Sequence, residues 1–339
     1  MIGLKKHTQV AFSQSPGRVS WEILNKDKRT RISFAILLLI IALAILAPIY
    51  SSFIAHTNPF VSSLDASFNM NGKTVQVLQP STQGLGLGVT PIGPTWKFNH
   101  YFLGADSQGR DIVARILYGG RNTLFIGFVS SLLTMFFAIL IGVIAGYYRG
   151  FIDNFLSRIL DLIWAFPVYL LAISLSVVLL TSGLNFGFIH FGAGSLALPI
   201  FIIGMVYIPY VARPLRAQVL SIRERDFVKA AIGYGAGNSN IIFTEILPNV
   251  LPSALVFFPI MVALNMLTES ALSFLSIGVQ PPSASWGTII NDGLALLYTR
   301  PLVAILPGLM IVITAAALNL YGDAVRDALD PKLNTRIIK

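Results

Sequence analysis

Residues 162–212 read LIWAFPVYLLAISLSVVLLTSGLNFGFIHFGAGSLALPIFIIGMVYIPYVA, 51 positions without one Asp, Glu, Lys or Arg. A hydrocarbon layer ~30 Å thick takes ~20 apolar residues per helical crossing. A soluble core has no use for an uncharged run of this length. Turn formers divide it at Thr181-Ser182-Gly183 and again at Gly192-Ala193-Gly194-Ser195, which places a crossing at Leu162–Leu180 and another at Leu196–Ala212.

Working outward, Ile32–Ala55 is the first uncharged stretch and Asn122–Tyr148 the second. Ile246–Thr268 and Pro301–Gly322 complete a set of six. The whole chain agrees: of 339 residues, 55% are hydrophobic and 12% charged, against roughly 25% charged in soluble domains. Strand-like alternation is missing, so the spans are helices rather than barrel strands. The expected fold class is therefore all-α integral membrane.

Basic residues set the expected orientation. Lys5, Lys6, Arg18, Lys26, Lys28, Arg29 and Arg31 precede the first span. Arg149 and Arg158 fall on the same side of a six-span chain, as do Arg213, Arg216, Arg223, Arg225 and Lys229. Arg326, Lys332, Arg336 and Lys339 follow the last span. These are 18 of the 24 basic residues; Lys73, Lys97, Arg110, Arg115, Arg121 and Arg300 are left for the other side. The positive-inside rule then puts both termini in the cytoplasm. Topology accounts for the net charge of +9 without nucleic acid. The 31-residue basic tail is long for a signal-peptide n-region, so the first span reads as an uncleaved anchor.

Five segments follow: a cytoplasmic tail (1–31), the first span (32–55), an extracytoplasmic segment (56–121), a five-helix core (122–322) and a second cytoplasmic tail (323–339). The glycines of residues 84–88 follow no strand and open no helix, so that segment reads as a small cap or a loop, not a phosphate site.

Chemistry-bearing motifs are missing. The chain has no Cys, which excludes disulfides, thiolate catalysis and Cys-based metal sites. It has no G-x-x-x-x-G-K-[ST], H-E-x-x-H or G-x-S-x-G, and His7, His56, His100 and His190 are scattered. No catalytic, cofactor or metal site is expected, and any ATP energy must come from a partner.

The informative cytoplasmic segment is RERDFVKAAIGYGAG (223–237) followed by NSNIIFTEILP (238–248). Arg223–Ala231 favours helix, and Gly233, Gly235 and Gly237 stop it. Asn238, Ser239 and Asn240 are each able to cap a new helix. The product is a helix, a sharp turn and a second helix, a shape suited to docking in a partner's groove.

That segment resembles the signature of binding-protein-dependent ABC permeases: Glu-Ala-Ala, three residues, Gly, nine residues, Ile, any residue, Leu-Pro. Ala230, Ala231, Gly235, Leu247 and Pro248 stand at matching positions. Lys229 replaces the acid and Glu245 the Ile, while Asp226, one turn earlier, can restore the charge or pair with Lys229. Other stretches are similar to the second permease of the dipeptide/oligopeptide/nickel group. LGADSQGRD (103–111) carries Gly104, Asp106, Gly109, Arg110 and Asp111; DLIWAFP (161–167) carries Asp161 and Pro167. ESALSFLSIGVQPPSASWG (269–287) carries Glu269, Trp286 and Gly287, and GDAVRDALDP (322–331) closes the series.

The resemblance implies the type I ABC importer fold, a prokaryotic inner-membrane location and a heterodimer with a sister permease. It implies two ABC ATPase subunits that hold ATP and Mg, and an extracytoplasmic solute-binding protein. Asp226, Lys229, Ala230, Ala231, Gly235, Leu247 and Pro248 would form the ATPase-coupling element. The implied cargo is a di- or oligopeptide; nickel chelates, glutathione-like peptides and oligosaccharides stay open. An ion-driven transporter would need mid-span carboxylates, which the six apolar runs lack. Asp161 and Glu269 are expected near span ends, in reach of water or headgroups. Arg110 and Asp111 are expected to brace the helix before the second span. Gly142-Val-Ile-Ala-Gly146 allows a close helix approach, and Met205, Met261 and Met266 read as packing.

Overall fold

The computed structural model describes residues 27–70, 73–81, 88–97, 100–186, 189–192 and 194–329. Residues 1–26 and 330–339, most of both expected tails, lie outside it, as do Asp330 and Pro331 of the closing motif.

Helix α1 (Lys28–Ile45) starts at Asp27, whose carboxylate accepts from Arg29 N and the Thr30 hydroxyl. It is followed by α2 (Ala47–Ala55), bent 45° from it. Two small antiparallel pairs come next, β1 (Ser67–Met70) with β2 (Lys73–Gln76) and β3 (Leu78–Pro80) with β4 (Val89–Pro91). Val77, Ile92, Tyr101 and Ala105 are buried beneath them. The segment is thus a folded cap with its own small core.

The bundle then runs α3 (Ile112–Tyr148), α4 (Gly150–Trp164), α5 (Val168–Ser182), the hairpin β5 (Leu184–Phe186)–β6 (Ile189–Phe191), α6 (Ala197–Val206), α7 (Ile208–Arg223) and α8 (Asp226–Gly233). It ends with α9 (Asn238–Phe274), α10 (Trp286–Leu294) and α11 (Leu302–Leu329). Helices α3, α9 and α11 are each long and apolar enough to cross a membrane. Three bent pairs bring the number to six if each is one span: α1–α2, α4–α5 at 87° and α6–α7 at 41°.

Several helix boundaries differ from the apolar runs. Helix α3 begins at Ile112, ten residues before Asn122, and is 37 residues or ~55 Å long. Leu162–Trp164 belong to α4, because the chain turns at Ala165-Phe166-Pro167 before α5 begins. Helix α7 continues past Ala212 to Arg223, with Pro214 inside it. Helix α9 runs beyond Ile246–Thr268 at both ends. Loss of apolarity marks where hydrocarbon ends, whereas a helix continues wherever its backbone bonds are satisfied.

Helix α3 is the axis of the bundle. A Cβ on Gly142 would lie 3.0 Å from the Ala212 carbonyl oxygen, and one on Gly146 2.7 Å from Val219 Cβ. The G-x-x-x-G spacing therefore seats α7 against α3 within this chain. Met261 and Met266 are fully buried, and Met205 packs against the core cluster that holds Met261. In α9, residues Ile241–Ile246 widen into a π-turn immediately before Leu247-Pro248. Proline there lacks an N–H and collides with the carbonyl four residues back, a strain the wider turn relieves.

Candidate functional site

The segment 223–248 folds at the end of the bundle where α3 stops. Arg225 is the N-cap of α8, and Asp226 lies in the first turn, where an acid suits the helix dipole. The helix closes with Ala236 N donating to Ala231 O and Gly235 N to Ile232 O, the paired bonds of a Schellman turn. Gly235 has φ +80°, and nothing lies within 4 Å of the place a Cβ would take there. The turn thus demands glycine for its backbone and not for space.

Val228 buries one face of α8 among Ile241 and Ile246. One flank is open: Tyr234 is 92% exposed and Phe227 is exposed beside it, while Ile232, one turn beyond Val228, and Phe243 on α9 are exposed as well. Asp226, Lys229, Ala230, Gly235 and Pro248 are exposed, while Ala231 and Leu247 are half-buried. The Tyr147 hydroxyl donates to Asn238 Oδ1 at 2.9 Å, and the Arg223 guanidinium stacks on the Tyr147 ring.

Two details differ from expectation. Gly237 is the N-cap of the following helix, and no side chain caps it. Lys229 lies 3.8 Å from Glu224, which Arg149 also reaches at 2.7 Å. Among the described residues no ion pair joins Lys229 to Asp226. Glu224 precedes the helix and gathers both cations.

At the far end of α3 two sequence motifs converge. In the first, Asp106 Oδ1 accepts from Gln108 N and Arg110 N, and its Oδ2 accepts from Arg110 Nε at 2.7 Å. Arg115 Nε lies 3.3 Å from the same oxygen. Both guanidiniums also reach Asp292 Oδ2 on α10, Arg110 at 3.0 Å and Arg115 at 2.7 Å. Asp106 and both arginines are buried, and Asp292 is 30% exposed. Two carboxylates and two guanidiniums thus tie α10 to the cap through Arg110, 182 residues away in sequence, and to α3 through Arg115, 177 residues away. Burial raises the Asp292 carboxyl above its ordinary range, while Arg115 and Arg110 pull it back down.

Asp111 caps α3, accepting from Ala114 N and from Tyr101 N, each at 2.8 Å. Burial pushes it up to about 6, against the pull of these backbone donors. Glycines complete the motif. Gly104 (φ +91°) lies against the Ile92 carbonyl and Gly109 (φ +73°) against the Ser63 carbonyl, each too close for a Cβ.

The second motif packs on the first turns of α3. Glu269 is fully buried, not at an interface as expected. Ser273 Oγ donates to its Oε1 at 2.7 Å, Ser270 Oγ lies 3.3 Å from Oε2, and Ser285 and Thr123 also bond to it. A ring of hydroxyls replaces the water that an acid normally requires. The Trp286 indole donates to Ile116 O at 3.0 Å, and its ring fills the space left by Gly120. Gly287 lies against the Ser270 carbonyl with no room for a side chain.

Asp161 and Pro167 belong elsewhere. Asp161 pairs with Arg213 at 2.7 Å, both partly exposed, and Pro167 marks the α4–α5 bend. The stronger tether of α4 is Asp153, held by two bonds from Arg216 at 2.5 and 2.6 Å. Asp153, Thr123 and Asp292 were not singled out in the sequence, and Arg115 only as a charge that sets topology. A charge beside or inside an apolar helix was the available signal for Asp153 and Arg115. Among the described residues no cluster of His, Asp and Glu is arranged to hold a metal ion.

Residues 138–335 match the family of binding-protein-dependent transport system inner membrane components. The chain belongs to this family. The permease is 34% identical over 322 residues to the dipeptide transport system permease protein DppC of Alkalihalophilus pseudofirmus, covering 95% of this chain and 91% of that one. It is 38% identical over 235 residues to the glutathione transport system permease protein GsiD of Pectobacterium atrosepticum, covering 69% and 74%. A chain of the inward-facing MetNI methionine ABC transporter overlays with a TM-score of 0.51 at 19% identity, covering 63% of the permease and 96% of that chain. That likeness supports the ABC importer permease fold. The permease is thus an inner membrane subunit of an ABC importer.

Proposed function

We propose that the permease pairs with a sister permease to form a pathway for di- or oligopeptides. Two cytoplasmic ATPases, holding ATP and Mg, drive the pair through α8, and an extracytoplasmic solute-binding protein delivers the cargo. The permease itself binds no nucleotide and catalyses nothing. Both termini lie in the cytoplasm, in keeping with the distribution of Lys and Arg.

The observation that carries this reading is the α8 arm. Its inner face is anchored by Val228, its end is locked by a Schellman turn, and Phe227 and Tyr234 stand exposed together on one flank. Exposed aromatic side chains on a rigid helix are the usual anchors of a protein interface. A rigid arm also transmits a push, as switching between two packed arrangements requires. The peptide cargo rests on the names of the dipeptide and glutathione relatives.

The test is a mild-detergent pull-down of the tagged chain with mass spectrometry of its companions. Recovery of a second permease and P-loop ATPases supports the assembly, and a recovered binding protein is then titrated with peptides, nickel chelates and sugars. Repeated recovery of the folded chain alone refutes the coupling role. Binding of nickel or sugar in place of peptide refutes the cargo.

A further inference from the structure

We propose that a groove on the flank of the bundle binds one anionic phospholipid, with Arg121 taking the phosphate and the groove an acyl chain. The site is independent of cargo and of ATP coupling.

The groove, about 530 Å³, lies between α1, α3, α9 and α11. Leu38 and Ile41 form one wall, Phe125 and Phe128 another, and Pro259 and Val262 belong to its α9 side. Its lining is almost wholly carbon, and the one charged side chain in it is Arg121. Arg121 is exposed and, among the described residues, has no carboxylate within ion-pairing distance. The other arginines of the α3 N-terminal region behave differently: Arg110 and Arg115 are both neutralised by Asp106 and Asp292.

Position makes the unpaired charge informative. Arg121 immediately precedes the uncharged run Asn122–Tyr148, so it stands at the edge of the hydrocarbon. An arginine there extends toward the headgroups, and its planar fork of donors suits a phosphate. Below it the groove continues along α1 from Ile45 to Phe34, eleven residues or ~16 Å, ending at the stacked Phe34 and Tyr321 rings. A cation above a narrow apolar slot is complementary to a phosphate above an acyl chain. Neither half alone selects a lipid; together they do.

The test uses the full chain purified with its co-expressed partners, delipidated in mild detergent and titrated with phosphatidylglycerol or phosphatidylcholine under native mass spectrometry. One phosphatidylglycerol should be retained in preference to phosphatidylcholine. Arg121→Gln should weaken that retention by about tenfold or more, the loss of a charge-assisted contact, and Arg121→Lys should keep most of it. Leu38→Trp fills the groove while leaving the arginine, and it should also displace the lipid. Equal retention in Arg121→Gln and Leu38→Trp overturns the proposal. Because the chain has no cysteine, Leu38→Cys offers a single attachment point for a short crosslinker. Efficient crosslinking to a sister permease would assign the groove to that subunit and overturn the lipid site.

Discussion

The two ends of α3 carry ion pairs of opposite character. At its N-terminal end, Asp106, Arg110, Arg115 and Asp292 form a network in which three of four members are buried. At its C-terminal end, Arg149, Glu224 and Lys229 meet in the open, each with at least 44% of its side chain accessible. A buried pair cannot lose one member without stranding a charge in a poor solvent. An exposed pair exchanges its partner for water at little cost. The first arrangement holds the cap on α10; the second leaves the α8 arm free to exchange partners.

The largest effect should follow from stranding a buried charge. Arg115→Ala leaves Asp106 and Asp292 short of a cation and should cost about 3–5 kcal/mol, read as a lower melting temperature in detergent or as degradation in cells. An unchanged melting temperature would show that the network is solvated and erase the contrast. Next comes steric exclusion: Gly287→Val drives a side chain into the Ser270 carbonyl and should cost about 1–3 kcal/mol or more. Thermal stability reads this too, and a small loss would mean that α10 shifts freely against α9.

At the opposite end, function should fail before stability does. Gly235→Val forces a β-branched residue to φ +80°, with a strain of about 1–2 kcal/mol confined to the turn. Uptake of the proposed cargo should collapse while expression and melting change little, and Gly235→Asn should be milder. Normal uptake at normal expression would remove the turn from the coupling account.

Asp111 adds a pH test to the buried end. Its carboxyl is held up to about 6, above the ordinary 3.8, so ionising it opposes the folded cap. The penalty is present above about 6 and disappears as pH falls toward 4. Wild type should therefore gain melting temperature relative to Asp111→Asn as pH drops from 7 to 5. A constant difference would show that the carboxyl titrates normally. The smallest effect belongs to Lys229→Ala, within about 1 kcal/mol of wild type. A loss of uptake without loss of stability would then place this cation in the ATPase contact.

Much of the helix–turn–helix shape of 223–248 was legible in the sequence because it is local. Glycine spacing stops a helix and asparagine or glycine starts the next within 15 residues, so the turn at Gly235 follows from short-range rules. The α8 boundaries differ from the expected Arg223–Ala231 by only a few residues. The network at the other end was only half legible. LGADSQGRD marked Asp106, Arg110 and Asp111 as a unit, yet Asp292 lies on a helix far along the chain, in no acid-base pattern of its own. Glu269 was misplaced for the same reason: its hydroxyl partners Thr123 and Ser285 come from other elements.

By itself the sequence determined the membrane class, up to six crossings, their approximate places and the family, since each rests on runs and spacings that short-range chemistry imposes. Solvent preference is a property of a segment, and a 51-residue uncharged run has one stable environment. Only the tertiary structure decided that α3 begins ten residues early, that the chain bends by 87° before α5, that Glu269 is sealed among hydroxyls, and that two arginines share Asp292. Those outcomes depend on which distant side chains arrive at the same place. Desolvation, packing and ion pairing act through space, and no window of sequence contains them.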